Sequence, residues 1–322
     1  MLKVRKAVVI CDSNTAIHCL SKLPQLATLP LFTSASGEES KSMRTVEGII
    51  AFFLEHRLSR NDVVINLGGG VVCDLAGFAA SIYKRGISFI NIPTSLLAMV
   101  DAAIGGKTAV NFGSLRNMIG TFALPKAVLI FPEMLDSLPE PEIRSGTAEM
   151  LKHAILESEI AFDAFIQMPL HEICSEANIL QSAQFKQAFI AGDLRDEGKR
   201  QLLNAGHTIA HALEAAFLEI NNPIAHGFAV AAGLWIEAEL GLHLGLANRT
   251  FVRKLQAFII KHYPKIDLSD EEIAASLQSM YADKKNTSGI VFCLPLDAGK
   301  VERISISDES AIDRALKNYA HA

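Results

Sequence analysis

Short apolar runs alternate with longer amphipathic segments through residues 7–131. Each run is rich in β-branched residues and fits a strand that is buried on both faces. We predict four such strands, at 7–12, 63–67, 87–92 and 127–131. Between them apolar residues recur every three or four positions, as in TVEGIIAFFLEHRLS, which predicts helices. This alternation is typical of a parallel α/β sheet.

The hydrophobic pattern changes after Pro139. Strand signals fade there, and long amphipathic segments take over, interrupted by loops such as the one at Gly198, with one possible short strand at 289–296. The sequence therefore predicts two domains, an α/β domain over 1–139 and a mainly α-helical domain over 140–322.

A turn of three glycines, 68–70, joins the strand at 63–67 to a helix. Glycines at such a turn let backbone N–H groups approach a phosphate, with the positive end of the helix behind them. The pattern is GGGVxxDxxG rather than GxGxxG, so a tight turn without a ligand is the alternative interpretation. A second polar segment, 93–122, we interpret as a loop, and its Lys107 follows two glycines and suits a phosphate.

A polar stripe interrupts the apolar pattern within 199–216. If this segment is one continuous helix, a single narrow face carries Arg200, Asn204, His207 and His211. A core helix would present Leu or Ile at those positions, and a surface helix would present mixed charges. The aligned set therefore predicts a functional site rather than separate structural histidines.

Two histidines four residues apart can both ligate zinc, but other ligands are available. Glu149 lies one helical turn before Lys152, a spacing that also fits a simple surface ion pair. His226 begins a helix, where we expect the positive helix end to disfavour the imidazolium and leave the ring free to ligate. A glutamate and two histidines from three elements would make a zinc site of the catalytic type, with an open fourth position.

Composition narrows the range of partners. Among 322 residues, 30 Lys and Arg stand against 35 Asp and Glu, giving a net charge of −5, and half the residues are hydrophobic. Such a chain has no general attraction to nucleic acid or to anionic membranes, so an anionic ligand needs locally placed cations. Five scattered cysteines without a CxxC pair fit reduced thiols, and no signal peptide or membrane-length apolar run is evident. We expect a cytoplasmic protein.

At this point an ordered set of motifs resembles the 3-dehydroquinate synthase family of sugar phosphate cyclases, from about residue 12 to residue 300. The motifs are GGGVVCDLAGFAAS, YKRG, PTSLLAMVD, IGGKTAVN, NMIGTF, SGTAEMLKHA, LLNAGHTIAHALEA, HGFAVAAG and DKKNTSG. The resemblance implies a dehydroquinate synthase-like fold, with a Rossmann-like NAD-binding domain and a helical metal- and substrate-binding domain. It further implies a homodimer with bound NAD and one divalent metal, Zn²⁺ or Co²⁺.

The activity that the resemblance implies is that of a carbon–oxygen lyase of the shikimate pathway, in aromatic amino acid biosynthesis. The substrate is a small phosphorylated sugar acid, 3-deoxy-D-arabino-heptulosonate 7-phosphate, and the products are 3-dehydroquinate and phosphate. In this scheme the C5 hydroxyl, polarised by zinc, is transiently oxidised by NAD; phosphate is then eliminated, C5 is reduced again, and an aldol step closes the ring.

Site residues follow from the resemblance position by position. The metal ligands match Glu149, His207 and His226, which makes His211 a hydrogen-bonding residue near the reacting hydroxyl. The positions that hold the substrate's hydroxyls and carboxylate match Asp101, Lys152, Lys186, Arg200 and Asn204. The phosphate clamp matches Lys107, Asn117 and Lys285, with Lys284 as its neighbour and Arg85 expected from the other subunit. The NAD positions match Asp12, Glu38, Lys41, Gly69, Gly70, Val71, Asp74, Thr94 and Ser95, together with Lys107 and Arg116.

Departures from the family pattern leave alternatives open. Arg116 stands where the family commonly has Lys, and Ala210 stands where it commonly has Gly. Family members also usually carry an extra strand or hairpin before the strand at 7–12. Without it, we expect an open sheet edge or a different dimer contact beside that strand. One alternative is another sugar phosphate cyclase, such as a deoxyinosose or valiolone synthase, although Asn204, Arg200 and Lys285 argue against it, since those relatives tend to differ at the residues that bind the carboxylate. Others are a metal- and NAD-dependent polyol dehydrogenase and a non-catalytic NAD-binding relative.

Overall fold

The computed structural model describes residues 6–113, 115–282 and 289–322. In chain order its helices and strands are β1 (Ala7–Asp12), α1 (Ser13–His18), β2 (Leu31–Ser34), α2 (Met43–Glu55), β3 (Val63–Gly68), α3 (Gly70–Ile82), β4 (Ser88–Pro93), β5 (Lys107–Phe112), β6 (Leu115–Phe122), α4 (Glu140–Glu157), α5 (Glu159–Gln167), α6 (Leu170–Ile173), α7 (Glu176–Phe189), α8 (His207–Glu219), α9 (His226–His243), α10 (Arg249–His262), α11 (Asp270–Ala282), β7 (Ile290–Asp297), β8 (Lys300–Ile306) and α12 (Glu309–Ala320).

The chain forms two compact units. The first comprises the chain up to Ile143 together with Ser175–Arg195, which contains α7. The second comprises Arg144–Cys174 and the chain from Asp196 onward. The expected domains, 1–139 and 140–322, stay a prediction, because they concern which segment binds NAD and which binds metal and substrate.

A four-stranded parallel sheet organises the first unit, in the order β2-β1-β3-β4. The strands predicted at 7–12, 63–67 and 87–92 are confirmed as β1, β3 and β4, and the predicted helix is α2. Apolar side chains from β1, β3, α2 and α3 form the core beside the sheet. The sequence missed β2, which pairs with β1 and places it inside the sheet rather than at an edge.

Two sequence predictions in this unit are wrong. Residues 127–131 do not form a strand, because the run lies between Pro125 and Pro132 and only Val128 makes an isolated bridge, to Asn91. The segment interpreted as a loop contains the antiparallel pair β5 and β6, which has a bulge between Val110 and Phe112. The half-exposed, mixed polar character of these strands hides their period in the sequence.

Helices dominate the second unit, where α9 is buried along most of its length. Small residues allow its backbone to touch its neighbours: a Cβ placed on Gly227 would lie 1.9 Å from the carbonyl oxygen of Ser145 on α4. The Gly227 amide also donates to the Ser145 hydroxyl, at 3.0 Å. The strand predicted at 289–296 is confirmed as β7, and it pairs with β8, which the sequence did not predict.

Among the described residues, none of the helices combines the length and the apolar character that crossing a membrane requires. All five cysteines are free thiols.

Candidate active site

Three helices of the second unit bring Glu149, His207 and His226 together. Glu149 lies on α4, and the two histidines are the first residues of α8 and α9. One ligand atom from each residue lies within 4.8 Å of the others. The Nε2 atoms of His207 and His226 are 3.5 Å and 3.6 Å from Glu149 Oε1. The close approach of α9 to α4 at Gly227, one residue after His226, produces this convergence.

The second ring nitrogen of each histidine has a partner that orients the ring. His207 Nδ1 lies 3.0 Å from the carbonyl oxygen of Ala205, so Nδ1 donates and Nε2 keeps its lone pair. His226 Nδ1 lies 3.4 Å from Glu214 Oε2. An imidazole held in this way by a carbonyl or a carboxylate is the usual arrangement of a metal-ligating histidine. The sequence analysis missed Glu214, although it stands two helical turns after His207 on the same face of α8.

The protonation of the three groups is set by their mutual contacts. Burial opposes ionisation of Glu149, but the charge of Lys152 and the two histidines hold its pKa well below its usual value. Burial, reinforced by Lys152, lowers the pKa of His207 to about 3. Burial also acts to lower the pKa of His226, but contacts with Glu149 and Glu214 outweigh it and raise the pKa to about 10. The contacts with these two carboxylates thus outweigh the effect of the positive helix end on the His226 ring.

This donor set fits a divalent cation. Glu149 is fully buried, and neither carboxylate oxygen has a hydrogen-bond partner within the described part of the chain, although Lys152 Nζ is in ion-pair contact. A buried carboxylate without hydrogen bonds is costly. Zinc–ligand bonds of about 2.1 Å place tetrahedral ligand atoms roughly 3.4 Å apart, close to the two nitrogen–oxygen separations found here. Glu149, His207 and His226 therefore have the chemistry and spacing of a zinc site.

The polar stripe is not one continuous helix. Arg200 and Asn204 belong to a 3₁₀ helix, Lys199–Asn204, and α8 begins only at His207. Gly206 separates the two with a left-handed backbone, φ +79°, so the prediction that all four side chains share a face of one helix is wrong. His211 remains one turn from His207 on α8, with ring centroids 5.5 Å apart, and its ring lies 6.3 Å from that of His226.

The glycine turn of the first unit lies at the carboxyl ends of β3 and β4. A Cβ on Gly68 would lie 2.5 Å from Val72 Cβ, so only glycine fits between the strand and the first turn of α3. The Thr94 amide donates to the Gly68 carbonyl at 3.0 Å, which fixes the loop after β4 beside the turn. A Cβ on Gly69 would lie 3.3 Å from Ser95 Oγ. This edge of a parallel sheet is where ligands bind in α/β folds.

A polar cluster lies at the same unit's β5 and β6 strands. Lys41 Nζ donates to Asp74 Oδ2 at 2.7 Å and to Asn117 Oδ1 at 2.5 Å. The side chain of Asn111 links this group to Glu38. Its Nδ2 donates to Glu38 Oε1 at 2.8 Å, and its Oδ1 accepts from the backbone amide of Asn117 at 2.9 Å. Asn117, predicted for phosphate, thus lies beside Lys41 and Asp74, predicted for NAD. Asn111 was not selected from the sequence, although it stands in the motif IGGKTAVN.

We expect Asp74→Asn to change the pH dependence of stability. Burial raises the pKa of Asp74 to about 6, against the opposing charge of Lys41. Because the folded protein holds this proton more tightly than the unfolded chain, the Asp74 contribution to stability is present at low pH and lost as pH rises through 6. The free energy of unfolding of the variant, relative to the parent, should increase by about 2 kcal/mol between pH 4 and pH 7.5. Urea unfolding across this range measures it, and a pH-independent difference would contradict the assignment.

Asp101 and Lys186 form an ion pair within the first unit. Asp101 lies in a short π-helix, Ala98–Ala102, a distortion that is frequent at functional sites. Lys186 Nζ, on α7, donates to Asp101 Oδ1 at 2.6 Å and to the Asp101 carbonyl at 2.8 Å. The end of the π-helix is held by Asn91, whose amide donates to the Ala103 carbonyl at 3.0 Å and whose side-chain oxygen accepts from Asn66. Both predicted substrate residues are therefore brought together.

The other predicted site residues lie as follows. Asp12 is the N-cap of α1 and accepts from the Thr15 amide at 2.8 Å. Gly70 and Val71 begin α3, Lys107 begins β5, and Arg116 lies in β6. Arg85 ends a 3₁₀ turn, Tyr83–Arg85, with φ +67°. Lys284 and Lys285 lie outside the described residues.

With this geometry in place, comparison with known proteins identifies the family. The family model described as 3-dehydroquinate synthase N-terminal matches residues 31–145, and the C-terminal model of the same family matches residues 146–286. The chain is 35% identical over 313 residues to a 3-dehydroquinate synthase of Alkaliphilus metalliredigens, covering 94% of this chain and 87% of that protein. It is 39% identical over 310 residues to a 3-dehydroquinate synthase of Gloeobacter violaceus, covering 93% and 85%. The chain belongs to the 3-dehydroquinate synthase family, as the motifs predicted.

Solved structures with a similar fold include other cyclases. A 2-deoxy-scyllo-inosose synthase complexed with carbaglucose-6-phosphate, NAD⁺ and Co²⁺ superimposes with a TM-score of 0.82 at 22% identity, covering 98% of this chain and 91% of that one. A 2-epi-5-epi-valiolone synthase from Streptomyces hygroscopicus subsp. jinggangensis, with NAD⁺ and Zn²⁺ bound, gives 0.81 at 24% identity, covering 99% and 92%. The predicted fold class is confirmed.

Proposed function

We propose that this chain converts 3-deoxy-D-arabino-heptulosonate 7-phosphate to 3-dehydroquinate and phosphate, a step of the shikimate pathway. The observation that carries the proposal is the convergence of Glu149, His207 and His226 on one point in a chain of this family. The reaction class is that of a carbon–oxygen lyase that depends on NAD and a divalent metal.

The residues present fit both groups. Glu149, His207 and His226 would hold Zn²⁺ or Co²⁺, and the glycine turn with Thr94 and Ser95 would hold NAD. When bound, NAD supplies reversible oxidation of the C5 hydroxyl and the cation supplies polarisation of that hydroxyl. Glu214 orients His226, and the Ala205 carbonyl orients His207, so the protein itself sets the orientation of both rings.

The other polar residues are assigned to the anionic substrate. Lys186 and Asp101 position hydroxyl groups, and the 3% exposed Arg200 is a donor for the carboxylate. Lys152, buried beside Glu149, is expected to bind a hydroxyl, and His211 to hold a hydrogen bond at the reacting oxygen. Phosphate is assigned to Lys107, Asn117 and Lys285, with Lys284 as its neighbour and Arg85 contributed by the other subunit. Local cations thus compensate for a net charge of −5.

The first prediction from this proposal concerns phosphate release. Purified protein supplied with zinc and NAD should release one phosphate per heptulosonate phosphate consumed, without net accumulation of NADH, because C5 is oxidised and then reduced in each turnover. A phosphate assay combined with absorbance at the NADH band measures both quantities. A chelator-treated sample is the control and should release phosphate only after zinc is restored.

Each other result identifies a rival. Stoichiometric NADH without phosphate would indicate a polyol dehydrogenase. Phosphate release only from sugar phosphates that lack a carboxylate would indicate another cyclase. Formation of neither phosphate nor NADH from any of these substrates in the presence of metal and NAD would indicate a non-catalytic relative and would refute the proposed activity.

We also propose a homodimer in the cytoplasm. The β5 and β6 strands and the residues just after them present large apolar side chains that are half or more exposed: Phe112, Leu115, Met118, Phe122 and Leu124. An apolar strip of this kind is typical of a protein–protein interface, and Arg85, expected to serve the partner's phosphate clamp, belongs to the same unit. Free thiols at all five cysteines are in keeping with a reducing compartment.

A further inference from the structure

A fully buried glutamate on α9, Glu237, faces the beginning of α8. Its Oε2 accepts from the Gly206 amide at 2.7 Å, and its Oε1 accepts from the Ile209 amide at 3.3 Å. The side chain is 0% exposed, so these backbone amides take the place of water around it.

The backbone amides in the first turn of α8 need a hydrogen-bond acceptor from outside the helix. The first amides of a helix have no acceptor within the helix. The residue before α8 is Gly206, which has no side chain to accept them. A carboxylate is the best complement to these amides and to the positive helix end. Here the cap comes from another helix, 28 residues further along the chain than Ile209.

A second contact fixes the same two helices. A Cβ on Gly233 of α9 would lie 1.9 Å from the Gly206 carbonyl oxygen, and a Cβ on Gly206 would lie 3.0 Å from the Val230 carbonyl oxygen. The two backbones therefore touch at Gly206 and Gly233, one turn before Glu237 on α9. Glu237 accepts hydrogen bonds from the same segment. Together with the backbone contact, these bonds leave the start of α8 little freedom to slide or rotate against α9.

Each of the two helices fixed by these contacts begins at or next to a proposed metal ligand. His207 follows Gly206 directly, and His226 is the first residue of α9. Metal–ligand distances tolerate errors of about 0.2 Å, so the spacing of the two rings must be set by the protein. We propose that Glu237 is a positioning residue that fixes the start of α8 against α9 and thereby preorganises His207 for the divalent cation. The inference rests on the proposed metal site and adds to it a residue that lies outside the ligand set.

Three variants test this role through zinc affinity. Glu237→Leu removes both acceptors at similar volume, Glu237→Gln keeps one acceptor oxygen, and Trp235→Leu is the matched control. Trp235 lies on the same helix but packs on Tyr319 of α12, with ring centroids 5.4 Å apart. Competition with a chromophoric chelator should show a zinc Kd raised about 10- to 100-fold in Glu237→Leu, the range found when residues supporting metal ligands are replaced. The Gln variant should show a smaller but measurable rise in zinc Kd, of less than about tenfold, and the Trp235 variant should lose thermal stability with less than a twofold change in Kd.

Absorption spectra of the Co²⁺-loaded proteins provide a measurement that does not change when a variant only loses stability. The visible absorption of Co²⁺ reports coordination geometry, so the band should change in Glu237→Leu and stay unchanged in Trp235→Leu. Equal zinc Kd values in the parent and Glu237→Gln, together with an unchanged Co²⁺ band, would overturn the role even if Glu237→Leu does not fold. A parent protein that binds neither metal would refute the metal site itself, whereas a parent that binds zinc while all variants bind equally would refute only the role of Glu237.

Discussion

His226→Ala is expected to abolish retention of zinc and to reduce turnover by at least about a thousandfold. The substitution removes one of three proposed ligands, and the other two, Glu149 and His207, come from other helices. Two ligands do not reproduce the three-ligand set of catalytic zinc sites. Metal content after dialysis, measured by elemental analysis, and the rate of phosphate release test the two parts of this expectation.

His211→Ala is the matched control. The His211 ring lies 5.5 Å from that of His207 and 6.3 Å from that of His226, in the same surroundings but outside the group of donor atoms. The variant should keep zinc at the parent stoichiometry and turn over more slowly, because it loses only a hydrogen bond at the reacting hydroxyl. Retention of zinc by His226→Ala together with its loss from His211→Ala would show that the ligands are wrongly assigned.

The sequence predicted the parts of the fold whose residues are buried on both faces. β1, β3 and β4 are continuous apolar runs, and their period is unambiguous because neighbours cover both faces of the parallel sheet. β2 is an edge strand of four residues with only Ser34 buried, and β6 alternates between exposed and half-exposed positions. Strands of this kind have no apolar signature, so they depend on partners that the sequence does not reveal.

The polar stripe in 199–216 does not lie on one helix, because packing against α9 interrupts the helix at Gly206. A single face for all four residues requires continuous helical backbone, but Gly206 adopts φ +79°, and its carbonyl oxygen contacts Gly233 of α9. A single glycine in a helical pattern is usually tolerated, so the break follows from packing against α9 and not from local sequence preference. The pattern still placed two histidines together, because His207 and His211 share a face of α8.

Site residues that act through others were the hardest to predict. Glu149, His207 and His226 were found from residue type, spacing and family motifs. Glu214 and Glu237 make contacts that depend on which helices touch, and a glutamate within an apolar helix pattern carries no signal of its partner. The pKa of His226 illustrates the same limit: the helix end was visible in the sequence, but the two carboxylates that raise its pKa were not.

Lys152→Met is expected to destabilise the zinc-free protein by about 3–5 kcal/mol, the usual effect of leaving a buried charge without its partner. Lys152 and Glu149 are 2% and 0% exposed and form an ion pair on one turn of α4. In the variant the carboxylate keeps only the histidine contacts. Saturating zinc should recover most of the loss, because the cation then pairs with Glu149. Urea unfolding with chelator and with zinc measures the two differences.

Two controls separate this electrostatic effect from damage to packing. Lys254→Met breaks the ion pair between Lys254 and Asp163, whose side chains are each 42% exposed, and it should leave stability nearly unchanged with or without zinc. Adding Glu149→Gln to Lys152→Met removes the uncompensated charge and should restore much of the zinc-free stability, since replacing both members of a buried pair costs far less than removing one. A deficit that zinc does not reduce and that the double substitution does not repair would mean that Lys152 stabilises the fold through its packing and not through Glu149.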